Sequence, residues 1–189
     1  MKEEEVQTDE PKVEEKFRLR SVIIDQDALF LREESEVVPL TTIDSGANVM
    51  DKETSELAAA LKTRLIEKDA LGVAAIQLGV KKRMFAMRKP FSSDRIVTVI
   101  NPKIDRVGPK FSVRTEGCLS IDYLPENIKG ALVKRHSEIY VSYTDQDGID
   151  HKEEMLMGMD ARVFQHELDH LNGKLMIDEP AFQGWQRAY

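Results

Sequence analysis

The chain has 189 residues, 41% of them hydrophobic, a formal net charge of −7 and one cysteine. That apolar content excludes a chain disordered throughout, and the length suits one domain with a core. The acidic balance argues against a nucleic-acid partner, which needs clustered Lys and Arg, and one cysteine rules out an internal disulfide framework.

Residues 1–17 are acidic and carry Pro11 and two valines, the composition of a solvated, disordered tail. The start lacks the basic and apolar regions of a signal peptide and is too acidic for a transit peptide. No apolar run approaches the ~18 residues that would span a bilayer. The expectation is a cytoplasmic, monomeric protein without a membrane or nucleic-acid partner, its residues 18–189 forming a single catalytic domain.

A short apolar segment around Val22–Ile24 leads in, and Asp27–Arg32 is compatible with a helix. Over residues 51–70, Leu57, Leu61 and Leu65 recur every four positions beside Ala58 and Ile66, which predicts an amphipathic helix capped by Asp51. "KKRMFAMRK" and "DRIVTVINPKI" read as strands, as does "KFSVR". "SEIYVSYTDQDGIDHKEEMLM" reads as a hairpin turning at Asp147-Gly148. A last helix is predicted to open at Asp160 as N-cap and to close at Gly173. Strands mostly precede this late helix, so the predicted class is α+β, with antiparallel or mixed sheets packed around a central HExxH-bearing helix.

That helix carries the chemistry. His166 and His170 are four residues apart, so both imidazoles face one point a turn apart. Glu167 lies about 100° round, within reach of a water on a metal without being a ligand itself. This is the H-E-x-x-H arrangement of two nitrogen ligands and a general base. Two imidazoles cannot hold a catalytic metal alone. The longer peptidase frame, with a third histidine, runs as far as Gly173 and then meets Met176, a poor ligand for a borderline ion. Asp178 and Glu179 lie close to the helix end, so the third ligand is sought upstream.

Cys118, in "TEGCLSID", is the favoured candidate: a thiolate and two imidazoles leave a fourth position open for water. His136 and His151 compete, although their polar hairpin contexts suit surface positions better. A third stretch, "ALGVAAIQLGV", combines Gly72, Ala74, Ala75 and Gln77, which suggests backbone that something approaches closely.

Together these segments resemble the peptide deformylase family. Its G-x-G-x-A-A-x-Q, E-G-C-L-S and H-E-x-D-H segments stand here, in that order, as Ala70–Gln77, Glu116–Ser120 and His166–His170. The second and third match fully, and the resemblance extends from about Val22 to about Pro180. It implies a deformylase-like fold and hydrolytic removal of the formyl group from the N-terminal formyl-methionine of nascent peptides. It also implies one divalent metal, usually Fe(II), with Zn, Ni or Co able to take its place. Cys118, His166 and His170 would bind the metal, and Glu167 would move the proton. The Gln77 amide and the Leu119 backbone N–H would stabilise the oxyanion. Glu116 would pair with Arg135 and, with Gly117, hold the cysteine segment at the substrate, while Leu71, Gly72 and Val163 would form the methionine pocket. An H-E-x-x-H metallopeptidase is the alternative, against which Met176 argues.

Three departures stand out. Ala70 replaces the family's first glycine, "SIDYLPENIKGALVKR" is longer than in many members, and "AFQGWQRAY" stands where many bacterial members continue into a long helix. The last leaves ribosome docking in doubt and resembles short forms carried by bacteriophages.

Overall fold

The computed structural model describes residues 17–21, 25–121, 124–178 and 180–187. It opens with helix α1 (Asp25–Phe30), two-residue strands β1 (Thr41–Thr42) and β2 (Asn48–Val49), and helix α2 (Lys52–Glu67). Strand β3 (Gly72–Ala74), a 3-10 turn (Ala75–Leu78), β4 (Met84–Arg88), β5 (Ile96–Val107) and β6 (Phe111–Glu116) follow. Then come β7 (Ile128–His136), β8 (Glu138–Asp145), β9 (Asp150–Met157), helix α3 (Gly158–Leu171) and β10 (Phe182–Arg187).

The strands form a five-stranded sheet in the order β3-β4-β5-β8-β9, a three-stranded sheet β10-β7-β6 and a β1-β2 ribbon. Every named pairing is antiparallel. The one parallel pairing among the described residues is an isolated bridge between Glu36 and Lys82.

The period-two pattern of β4 sets the layers. Phe85 and Met87 face one core with Val97, Val99, Ile139 and Phe164, while Met84 and Ala86 face another with Leu57, Leu61, Leu65 and Ile100. The larger sheet is therefore buried on both faces, by α3 on one and α2 on the other. Helix α2 starts where expected, the Asp51 carboxylate accepting from the Thr54 N–H at 2.7 Å. Ile66 is 61% exposed, because it lies 100° round from Leu65 and off the apolar stripe.

Helix α3 begins earlier than predicted, at Gly158 with Met157 as N-cap. The Asp160 carboxylate accepts instead from the Phe91 N–H at 2.7 Å, so a tertiary partner takes the group that the sequence offered as a cap. At the other end, Gly173 has φ +67 and packs against the Arg32 carbonyl; an added Cβ would lie 2.8 Å from that carbonyl carbon.

The α+β class stands, but the expectation of a site defined by an HExxH motif on a central helix is corrected. The group able to hold a metal is Cys118, His166 and His170, to which Glu167 contributes no atom. One helix face offers only two ligands at this spacing, so the third comes from the turn after β6, in the other sheet. Helix α3 touches β3, β4, β8 and β9 of the large sheet and β7 of the small one.

The apolar segment at 22–24 and residues 1–16 of the expected tail lie outside the described residues. Phe17, assigned to that tail, is buried in the core with α2. "AFQGWQRAY" contributes β10, which pairs with β7. Among the described residues no helix is long and apolar enough to cross a membrane.

Candidate metal centre

Helix α3 sets His166 and His170 edge to face, their ring centroids 5.0 Å apart. From the turn after β6, Cys118 brings its Sγ to 3.3 Å from His170 Nε2. One ligand atom from each of the three lies within 4.8 Å of the others, so a divalent-metal-binding Cys/His/His site is present. The donor set fits a tetrahedral ion with one position left open. Neither competing histidine joins it. His136 Nδ1 lies 2.9 Å from the Gly108 carbonyl, and His151 Nε2 lies 2.7 Å from Asp145. Met176 packs in a small core with Ile121, Ala131 and Val133.

Glu116, the last residue of β6, organises the histidine side. His166 Nδ1 lies 2.9 Å from Glu116 Oε2; donation of an Nδ1–H there leaves Nε2 for an ion. Arg135 grips the same carboxylate, with Nε 2.7 Å from Oε1 and Nη2 2.9 Å from Oε2, and gives its Nη1 to Asp169 at 2.6 Å. Burial pushes the Glu116 carboxyl up, but hydrogen bonds from His166 and Arg135 outweigh it and hold the group well below the usual range.

Burial keeps His170 neutral, far below the usual imidazole value. His166 goes the other way: burial lowers it, yet its contacts with Cys118 and Glu116 push it up to about 10. Without metal the corner therefore stores a proton on His166, which an arriving ion must displace. Buried His170 Nδ1 has no partner among the described residues.

Glu167 is 3% exposed and its Oε2 is buried without a hydrogen-bond partner among the described residues. Burial pushes its carboxyl up to about 7, against the pull of His166 and Arg135. The close approach read from "ALGVAAIQ" is to this side chain. A Cβ on Gly72 would lie 2.8 Å from Glu167 Cδ and nearer still to Oε1. Ala70 carries no left-handed backbone cost; the positive φ falls on Asp69, at 46°.

Gln77 is 2% exposed, and its Oε1 accepts from the Ala74 N–H at 2.8 Å. That contact turns Nε2 toward Ser120 Oγ at 3.1 Å and Cys118 Sγ at 3.6 Å. Gln77, Leu119, Cys118, His166 and Glu167 border one cleft of about 370 Å³, whose apolar lining includes Leu71, Met159 and Val163. Gly72, Glu116 and Gly117 line it too; Ala74, Ala75 and Arg135 do not, and of the three candidate ligands His170 alone is absent from its lining and is buried.

Three participants went unnoticed in the sequence. Ser120 receives the Gln77 amide, Asp169 receives Arg135, and Arg162 donates from Nη1 to Glu116 Oε1 at 2.5 Å. Ser120 and Asp169 stood as named positions of the two fully matched segments without a role assigned to them, and Arg162 stood as a charged residue one turn before His166.

The family model described as polypeptide deformylase matches residues 21–183. A peptide deformylase of Thermotoga petrophila is 44% identical over 110 residues, which cover 58% of this chain and 62% of that protein. The chain thus spans a little under two thirds of that relative. One from Rhizobium meliloti is 36% identical over 142 residues, covering 74% of this chain and 78% of its own. A crystal structure of peptide deformylase from Thermotoga maritima superposes with a TM-score of 0.70 at 31% identity, covering 86% of this chain and 95% of that one. With a matched model that takes in all three sequence segments, the chain belongs to the polypeptide deformylase family.

Proposed function

We propose that this chain is a metal-dependent hydrolase that removes the formyl group from the N-terminal formyl-methionine of newly made polypeptides, releasing formate. The observation that carries the reading is the Cys118/His166/His170 triad beside Glu167, whose buried Oε2 has no partner among the described residues, in a chain of this family. Cys118, His166 and His170 are the proposed ligands, and Fe(II) the proposed native ion, with Zn, Ni or Co as substitutes. A divalent ion held there supplies Lewis acidity, making water more acidic and polarising a carbonyl oxygen.

Glu167 acts as the proton carrier. With a carboxyl pushed up to about 7, it can take a proton from the attacking water and return it to the departing amine nitrogen near neutral pH. The Gln77 amide, its oxygen already pinned by Ala74, and the Leu119 N–H donate to the oxyanion, each for about 3 kcal/mol of barrier. Leu71, Gly72 and Val163 receive the methionine side chain; Glu116 and Gly117 hold the segment that faces it. The proposed setting is the cytoplasm, whose reducing conditions suit a thiolate ligand, and a monomer acting on nascent peptides suffices.

The test is formate release from an N-formyl-methionyl peptide by anaerobically prepared protein whose metal has been counted. Turnover is expected with one ion per chain. Absence of formate from protein with a filled site overturns the reading.

A further inference from the structure

We propose that Arg162 is a positioning residue that fixes the Cys118-bearing strand against the histidine-bearing helix. The inference rests on the metal-site part of the reading above and adds a residue to it. Arg162 and His166 stand one turn apart on one face of α3 and bind opposite oxygens of the same carboxylate. Arg162 Nη1 lies 2.5 Å from Glu116 Oε1, and His166 Nδ1 lies 2.9 Å from Oε2. The rest of the guanidinium reaches the strands. Nη1 also donates to the Val133 carbonyl of β7 at 3.1 Å. Nη2 donates to the Ser112 carbonyl and Oγ of β6 at 2.8 and 2.9 Å.

The topology explains why such a tie matters. Strand β6 is an outer strand of the small sheet, paired among the described residues with β7 alone, and Cys118 sits two residues past its end. Nothing in the sheet ladder fixes β6 relative to α3, yet Cys118 Sγ must meet His170 Nε2 across that gap. Arg162, 3% exposed, crosses it with a planar fork that a point charge cannot reproduce. Arg135 also grips Glu116, but from β7 in the same sheet, and its link to α3 runs through Asp169, which lies between the two histidines. Arg162 thus adds a direct tie from β6 and β7 to the helix one turn before His166, while Glu116 transmits it to the His166 ring.

The experiment compares Arg162→Met and Arg162→Lys with the wild type by chelator competition for zinc, without peptide, alongside circular dichroism and thermal melts of the metal-free forms. Both variants are expected to lose about 10- to 100-fold in zinc affinity while folded, the range for removal of a group that orients a ligand. Arg162→Lys decides if Arg162→Met does not fold, because its ammonium cannot span Ser112 and Glu116 together. A folded variant that melts lower yet binds zinc as tightly as the wild type assigns Arg162 to stability alone and overturns the proposal. Formate release by the wild type is read separately: wild-type zinc binding without formate sinks the proposed reaction, while the affinities still judge Arg162.

Discussion

Two polar clusters in this molecule contain histidine, carboxylate and a basic side chain, and only one has the features of an active site. On the large sheet, Lys89 Nζ lies 2.7 Å from the Tyr143 hydroxyl and 2.5 Å from Glu154, and that hydroxyl donates to Glu154 at 2.9 Å. His151 pairs with Asp145 and stacks on the Tyr143 ring at 4.6 Å. Every one of these side-chain polar groups has a partner among the described residues. At the metal corner, by contrast, Glu167 Oε2 and His170 Nδ1 are buried without partners, and a cleft opens beside them. A saturated network holds strands together; an unsaturated one bordering a cleft is waiting for a ligand.

Glu167→Gln should break the comparison most deeply. The amide keeps the shape and removes the proton carrier, so kcat should fall about 100- to 10,000-fold while bound metal stays at the wild-type level. Metal analysis with peptide kinetics checks this. Loss of metal along with activity would instead make Glu167 part of the site's structure.

Gly72→Ala tests the same carboxyl from the opposite wall. The new methyl would meet Glu167 at less than van der Waals distance, and it can be accommodated only if the carboxyl moves. A displaced base should lower kcat by up to about 100-fold with metal content unchanged. Kinetics at saturating peptide read this, and an unchanged kcat would show that Glu167 has room to spare.

Much of this was legible locally. Helix α2 could be read because its cap and its leucine stripe are short-range signals, and the ligand spacing in α3 follows from one helical turn. Arg162 escaped notice because its partners, Glu116 and Ser112, lie 46 and 50 residues away in sequence. Asp160 misled for the same kind of reason, since Phe91 claims its carboxylate. The third ligand was reachable only by elimination and by the family resemblance, as no spacing rule connects Cys118 to a helix in the other half of the site.

The two clusters should also respond to pH with opposite signs. Glu167 is raised, so in the metal-free protein its contribution is full below the ordinary glutamate value and is lost as pH rises through about 7. Asp145 and Glu154 are lowered: burial raises them, but hydrogen bonds from His151 to the first and from Lys89 and Tyr143 to the second outweigh it. Their contribution is present above the ordinary carboxylate values and is lost as pH falls through their folded ones. Because His166, pushed up to about 10, also loses its contribution as pH rises above the ordinary imidazole value, denaturant titrations of metal-free protein should show the neutral-side loss reduced in Glu167→Gln and unchanged in Glu154→Gln.

Tyr143→Phe gives the smallest effect and the cleanest separation. It deletes one hydroxyl between Lys89 and Glu154 but leaves their direct contact at 2.5 Å, and the ring can still stack on His151. The cost should be about 1.5–3 kcal/mol, the value of a hydrogen bond to charged groups, read as a lower denaturation midpoint. Zinc affinity and kcat should match the wild type, since no side chain of this cluster lines the cleft. A change in metal affinity in Tyr143→Phe would mean that the large sheet passes strain from this cluster through Phe164, whose ring lies 6.3 Å from that of Tyr143, to the histidines of α3.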